Sequence, residues 1–521
     1  SMPNEQRVAT LGLEALCNLT RTYQIVATAT SEGSVEVVVQ AMRTHVAISG
    51  VQDAGCGTLT HLAQRDEDRD RIGQAGGIEA AVAAMTRSKG SHRTLAAACV
   101  LLRELGRFGP NQERIAAKGG VNALLNVLML HPKVLQSMQR ASGAETVQAE
   151  QQTAGAVSDK LLGLMEHALA ALRNVAASEQ NQVLIAQCGG VRMVIACMRH
   201  HRNLPAIQEL ALGVLYNLAF HPQNKDKIPE FKGLEYILGA MLSHPSHPGV
   251  QTWGCNALRM VALNNAANLT ALVQLGGVKA VMLAMQQHPT APQLMESALT
   301  AIRVLRAQPS TDETLVREGG IRTVLLAMQQ HMPAGKLVQE GTGLLASLAV
   351  KRELHGHIVH NSGVKVLLMC MFHHASRPEV QFHALMVLRC VTVYPEVQTA
   401  VAAEGGVRMT LLAMKNHSGA TQVQENAIAV LLNLAQLAQN RAIIAREGGI
   451  TGVLLGMHQH ATNGAVQEFG CGALCLLARG DGETVRMLTD SRATPIVQAA
   501  MQRHPDNPRV QQYGAALLGA K

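Results

Sequence analysis

Residues 423–457 read VQENAIAVLLNLAQLAQNRAIIAREGGITGVLLGM, and the rest of the chain repeats this stretch in altered words. It divides into three parts. Val423–Ala435 carries apolar residues at helical spacing, with Asn433 near its end. Gln439–Gly449 is a short helix stopped by two glycines, and Ile450 begins another helix that runs through Met457 into histidine. Apolar residues three and four apart form one stripe on a helix, so each segment has a face to bury.

The Met-x-x-His ending serves as a ruler. Equivalent positions are Met42, Met85, Leu128, Met198, Met241, Met285, Met328, Met371, Met414, Met457 and Met501. Successive gaps are 43 or 44 residues, except one of 70 between Leu128 and Met198. A fixed period of this size marks a helical solenoid, in which each unit buries its apolar face on its neighbours. The long gap places an insertion within about 132–163, read as a protruding loop or frayed helix. Seven units keep a Gly-Gly pair, as at Gly189-Gly190 and Gly448-Gly449. Gly233 and Gly363 keep one of the two, and Ser491-Arg492-Ala493 replaces the pair in the last unit. Glycine past a helix end supplies the left-handed residue that releases the chain. The Val338 unit slips by one residue, its Val-Gln-Glu arriving late.

The Gly-Gly between the first and second helices, and a third helix ending in A-L-x-N-L-A, resemble the armadillo-repeat family. The ending stands as EALCNLT (14–20), AALRNVA (170–176), VLYNLA (214–219) and VLLNLA (430–435). The resemblance implies an all-α fold: a right-handed armadillo-repeat superhelix of about eleven three-helix units, one solenoid over residues 1–521. It also implies a concave groove, lined by third helices, that holds partner proteins.

Composition narrows the function. Aromatic residues make up 2% against 47% hydrophobic, so the core is aliphatic. No long uncharged apolar run suits a membrane span, and no signal peptide is visible. Ten cysteines show no zinc or redox spacing; buried free thiols suit a reducing compartment, cytoplasmic or nuclear. A net charge of +8 favours acidic partners. Scarce aromatics and dispersed basic residues make nucleic acid an unlikely ligand. Neither terminus reads as a distinct polar cap, which points to a piece of a longer protein.

The Asn position of the third helix projects away from the apolar face and is expected to line the groove. Asn18, Asn174, Asn217 and Asn433 stand there. Each amide can either clamp the backbone of a bound segment or bond a neighbouring repeat. Four residues earlier, importin-alpha proteins carry a tryptophan ladder; none stands there in this chain, which argues against nuclear-import cargo. The one tryptophan, Trp253, lies seven before the Asn position, either facing the groove as an anchor or packed between repeats. Arg103, Arg173, Arg259, Arg303 and Arg389 immediately precede the Asn position, forming a stripe along one groove edge. They either bind acidic groups through forked hydrogen bonds or pair with acids of neighbouring repeats. A second basic stripe begins the second helices: Arg192, Lys279, Arg322, Lys365 and Arg408. Histidines ending second helices are expected to cap them. His355, His357 and His360 do not match a helical metal-ligand pair.

No catalytic residue, metal site or cofactor motif stands out. The expected function is a non-enzymatic protein-interaction scaffold or adaptor holding an extended or helical, acidic segment. Alternatives are the regulatory armadillo region of a larger multidomain protein, a cytoskeletal or ciliary scaffold, and an atypical nuclear-transport adaptor. Oligomeric state is left open.

Overall fold

The computed structural model describes residues 2–21, 33–87, 91–130 and 156–519. It is helical from end to end, with no strand among the described residues. The chain separates into two compact units, Ser1–Ala284 and Met285–Lys521. Both are built from the same three-helix repeat.

In the second unit the repeat is clearest. Its first helix is Ala438–Arg446, its second Gly449–Gln459 and its third Gly464–Leu477. The preceding third helix, Thr421–Leu434, buries Val423, Ala427, Val430, Leu431 and Leu434, the stripe its sequence spacing predicts. Third helices stack in succession, Gly335–Ala349 on Pro378–Val391 on Thr421–Leu434 on Gly464–Leu477 on Pro508–Gly519. Second helices Gly320–Gln330, Gly363–His373, Gly406–Asn416 and Gly449–Gln459 form a parallel row. The first unit repeats this pattern, with third helices Met2–Leu19, Ser49–Leu62, His92–Leu105, Ala156–Val175, Pro205–Leu218 and Pro248–Ala262 packed in order. Proline begins several third helices, where its missing N–H has no intrahelical partner to lose.

Most of the expected insertion lies outside the described residues. Its final part is helical, because the third helix already begins at Ala156 and runs to Val175. Residues 156–163 therefore belong to that helix rather than to a loop.

The two glycines of the pair have different jobs. Gly448 takes φ of +89°, the left-handed turn that starts the second helix. Gly449 is helical, but a Cβ there would lie 2.4 Å from Ile444 Cγ2 and 2.7 Å from the Ile444 carbonyl oxygen. Units with a single glycine keep the second one. Lys232 and Ser362 adopt the left-handed conformation in place of the first, at φ of 59° and 62°. In the last unit both are gone: Arg492 takes the left-handed turn at φ of 55° and Ala493 begins the helix.

Three ladders of polar side chains register the repeats. Gln424 Nε2 donates to the carbonyls of Met414, 2.8 Å, and His417, 3.1 Å. Gln52, Gln208, Gln251, Gln381, Gln467 and Gln511 do the same for their own Met and His. Each closes the open carbonyls at the end of a second helix. In the slipped unit the equivalent position is Val338, which is buried, so no glutamine reaches those carbonyls. A buried Asn opens many first helices. Asn224 donates to Gln182 O and Leu218 O, both at 3.0 Å, tying its repeat to the one before. Asn181, Asn268 and Asn440 bond in the same manner.

The histidines form the third ladder. The Nε2 of His244 donates to Arg202 O, 2.7 Å, and His331, His374, His417, His460 and His504 repeat the bond 42 or 43 residues back. Capping of their own helix by charge is therefore an incomplete account: they fasten adjacent repeats. His355 likewise donates to Ala349 O at 2.7 Å and packs edge-on against Tyr394.

Candidate functional site

The third-helix surface carries the residues singled out from sequence. Asn174 Nδ2 donates to Arg103 O at 2.9 Å, Asn217 to Arg173 O at 2.6 Å, and Asn433 to Arg389 O at 3.0 Å. His61, at the same position, bonds Cys17 O through Nδ1 at 3.1 Å. Each therefore binds the preceding repeat at the residue just before that repeat's own Asn position. Asn433 uses its amide a second time, on Thr392 Oγ1 at 3.1 Å. The clamp expectation is corrected to this extent: one amide hydrogen at each position belongs to the fold. Asn18 is exposed and makes no such bond.

The Arg stripe does not behave as one surface. Arg103 pairs with the adjacent Glu104 at 2.7 Å. Arg303 pairs with Glu340 of the next repeat at 3.1 Å. Arg389 pairs with Glu425 of the next repeat at 3.2 Å and lies over the Phe469 ring, 4.8 Å from its centroid. These three are committed to carboxylates of the protein itself, the second of the two alternatives weighed for the stripe.

Arg173 and Arg259 differ. Arg173 lies over the Trp253 ring at 5.3 Å, and Arg259 over the Tyr216 ring at 5.9 Å. Trp253 and Tyr216 meet edge to face at 5.7 Å, and Tyr216 meets Phe220 at 5.2 Å. Trp253 is half-buried and packs against residues of the two preceding repeats, the second of the two alternatives weighed for it. Gly213 makes room, since a Cβ there would meet Arg173 Cδ at 2.6 Å. Burial pulls the Arg173 pKa below the ordinary arginine value, although Glu209 pulls it up. The Arg259 Nε is buried without a hydrogen-bond partner. Among the described residues neither guanidinium forms an ion pair with a carboxylate. Both are held by stacking on aromatic faces, an attraction worth about 0.5–2 kcal/mol.

Comparisons with known proteins match this architecture. A family model described as the GAC ARM domain matches residues 255–500. A chain solved in a study of the phosphorylation switch controlling the interaction between cadherin and beta-catenin aligns over 97% of this chain and 98% of that chain. Its TM-score is 0.64 at 13% identity. The chain has the armadillo-repeat fold, and residues 255–500 match an armadillo family model. An engineered protein is also similar to this armadillo chain, with a TM-score of 0.48 at 19% identity over 93% of this chain and 98% of that one. No curated protein sequence matches it. Among the described residues of the armadillo chain, no single helix is long and apolar enough to cross a membrane.

Two features of the armadillo surface escaped sequence reading. The cluster of Arg173, Trp253, Tyr216 and Arg259 joins three repeats, and only three-dimensional packing brings its members together. The Gln and Asn ladders were visible as recurring letters, V-Q in the first turn of third helices and Q-N in the first turn of first helices, but their carbonyl partners were not.

Proposed function

We propose that this armadillo protein is a protein-interaction scaffold or adaptor that holds a partner segment on its third-helix surface. Armadillo folds commonly mediate protein–protein binding and are typically non-enzymatic. The observation that carries the reading is the pair of stacked guanidiniums, Arg173 and Arg259, neither in an ion pair among the described residues. Trp, Tyr and Arg are the residue types on which binding energy concentrates at protein interfaces. A guanidinium fixed by stacking keeps its N–H edges available for a carboxylate or phosphate in forked geometry. The bound segment is acidic at the point where it crosses these two residues. Phe220, 49% exposed, borders the cluster and adds apolar contact. We place the protein in the cytoplasm or nucleus, where its ten unpaired thiols stay reduced.

The test is affinity capture from native cells by the wild-type chain, by Arg259→Glu and by Arg303→Glu, after checking that all three melt alike. A photo-crosslinking residue at Phe220 identifies which captured proteins touch the cluster. Partners that crosslink there are expected to disappear with Arg259→Glu and persist with Arg303→Glu. Persistence of the same partners with Arg259→Glu overturns the proposal.

A further inference from the structure

The second helices of the unit Met285–Lys521 carry a surface that the third-helix reading does not use. Leu326, Met369, Leu412 and Leu455 stand 43 residues apart, at one position of four successive second helices. Leu326 is 45% exposed and Leu455 55%, while Met369 and Leu412 are half-buried. Phe372, one turn on from Met369, is 62% exposed. Between Gly363–His373 and Gly406–Asn416 lies a groove of about 800 Å³, walled by Met369, Phe372, Met409 and Ile443. A contiguous apolar strip of this kind is unusual on a protein with nothing to bind there.

Charge frames the strip. Arg322, Lys365 and Arg408 lie four residues before Leu326, Met369 and Leu412, on the same face of each helix. Arg322 and Lys365 are exposed, and among the described residues neither has an acidic partner. Arg408 pairs with Glu447 at 3.2 Å. A base in the first turn opposes the helix dipole, so these residues do not serve the helices that carry them. Past the apolar strip stand Lys415, His373 and His458, all exposed. The acids bordering the groove are Glu404 and Glu447, the latter already engaged by Arg408. Basic groups thus flank both sides of an apolar strip.

Spacing selects the occupant. Packed helices lie about 8–10 Å apart. An α-helix laid across the row advances ~10.5 Å in seven residues, close to one rung. An extended strand covers about 10 Å in three residues, but its side chains alternate, so successive rungs would meet opposite faces. We propose that this row of second helices docks an amphipathic α-helix of a partner protein, with apolar residues seven apart and acidic residues beside them. Its apolar residues sit over Leu326, Met369, Leu412 and Leu455, with one beside Phe372 in the groove. Its acids meet Arg322, Lys365 and Lys415.

A display library of random 24-residue peptides (four rungs seven residues apart need about 22), panned on the full chain and counter-selected on Phe372→Asp/Leu455→Asp, tests this. Enriched sequences are expected to carry net negative charge and apolar residues at seven-residue spacing. A synthetic representative should gain helical circular dichroism on binding. Its affinity should fall roughly tenfold or more with Phe372→Asp or Lys365→Glu, and stay unchanged with Arg259→Glu. Lys365→Glu keeps the test alive if the aspartate variants melt early, because Lys365 is an exposed side chain with no acidic partner among the described residues. Absence of variant-sensitive sequences overturns the proposal, as does enrichment of basic or extended ones. Flotation of the chain with phosphatidylserine vesicles, lost in Lys365→Glu and without peptide binding, also overturns it, assigning the surface to lipid.

Discussion

Two asparagines seven residues apart make a sharp test of which polar contacts hold the repeats together. Asn224 is 1% exposed and donates to two carbonyls, Gln182 O and Leu218 O, in a dry environment. Asn224→Ala removes one of two donors from each carbonyl: Leu218 O keeps the His221 N–H at 3.3 Å, and Gln182 O keeps the bond within its own helix, Glu179–Gln187. A buried hydrogen bond contributes about 0.5–1.5 kcal/mol net, so losing the pair costs about 1–3 kcal/mol. Asn217 makes one bond, to Arg173 O, and is half-buried. Water can replace its amide after truncation, so Asn217→Ala should cost only about 0.5–1.5 kcal/mol. Repeat arrays open locally rather than all at once, so a single melting curve blurs the difference. Amide hydrogen exchange across residues 210–232 resolves it as lost protection in each variant. If Asn224→Ala stays within about 0.5 kcal/mol of wild type, or if the two variants lose protection equally, the buried ladder is not what joins these repeats. The same pair bears on binding. Asn217→Ala should weaken capture of a third-helix partner if its second amide hydrogen contacts that partner, and Asn224→Ala should not do so at equal folded fraction.

Three further outcomes follow from particular residues. Asp312 is buried, which alone would raise its pKa, but bonds from Arg306 at 2.5 Å and Lys351 at 2.9 Å outweigh this and hold the carboxyl below its ordinary value. A depressed folded pKa means stability present above the unfolded value, ~3.9, and lost as pH falls below it. The urea midpoint of wild type should exceed that of Asp312→Asn at pH 7, the gap closing below about pH 4; a gap that stays constant refutes the ion cluster. Gly449→Ala forces a Cβ against Ile444 and its carbonyl oxygen and should destabilise by about 1–3 kcal/mol. Lys232→Gly instead removes a left-handed lysine and should leave stability unchanged or raise it by up to about 1 kcal/mol, read by urea unfolding.

The fold was legible because its signal is periodic. The Met-x-x-His ruler works for a reason seen only in the structure. The Met side chain packs under a glycine of the next third helix, where a Cβ on Gly470 would lie 2.5 Å from Met457 Cγ. The Gln of that same third helix caps the Met carbonyl. Side-chain and main-chain constraints therefore converge on one residue, and the spacing survives where other letters drift. The site was less legible because position along a helix fixes which face a residue occupies but not its partner. Arg259 and Arg303 occupy the same repeat position. One stacks on Tyr216 and the other pairs with Glu340, and only the side chains of adjacent repeats decide which. The Asn position gave its bond only as one of two options, because a carbonyl acceptor is present at every residue.

The glutamine ladder also says where this chain can be cut. Gln467 closes the carbonyls of Met457 and His460 from the far side of the loop that joins them. A second helix is thus finished by the helix that follows it. A fragment ending at the histidine would leave frayed carbonyls and an uncovered methionine. One ending after the third helix would carry its own closure. Protease-resistant pieces should therefore end near residues 391, 434 and 477, at the close of third helices, out of phase with the boundaries that the histidine ruler suggests.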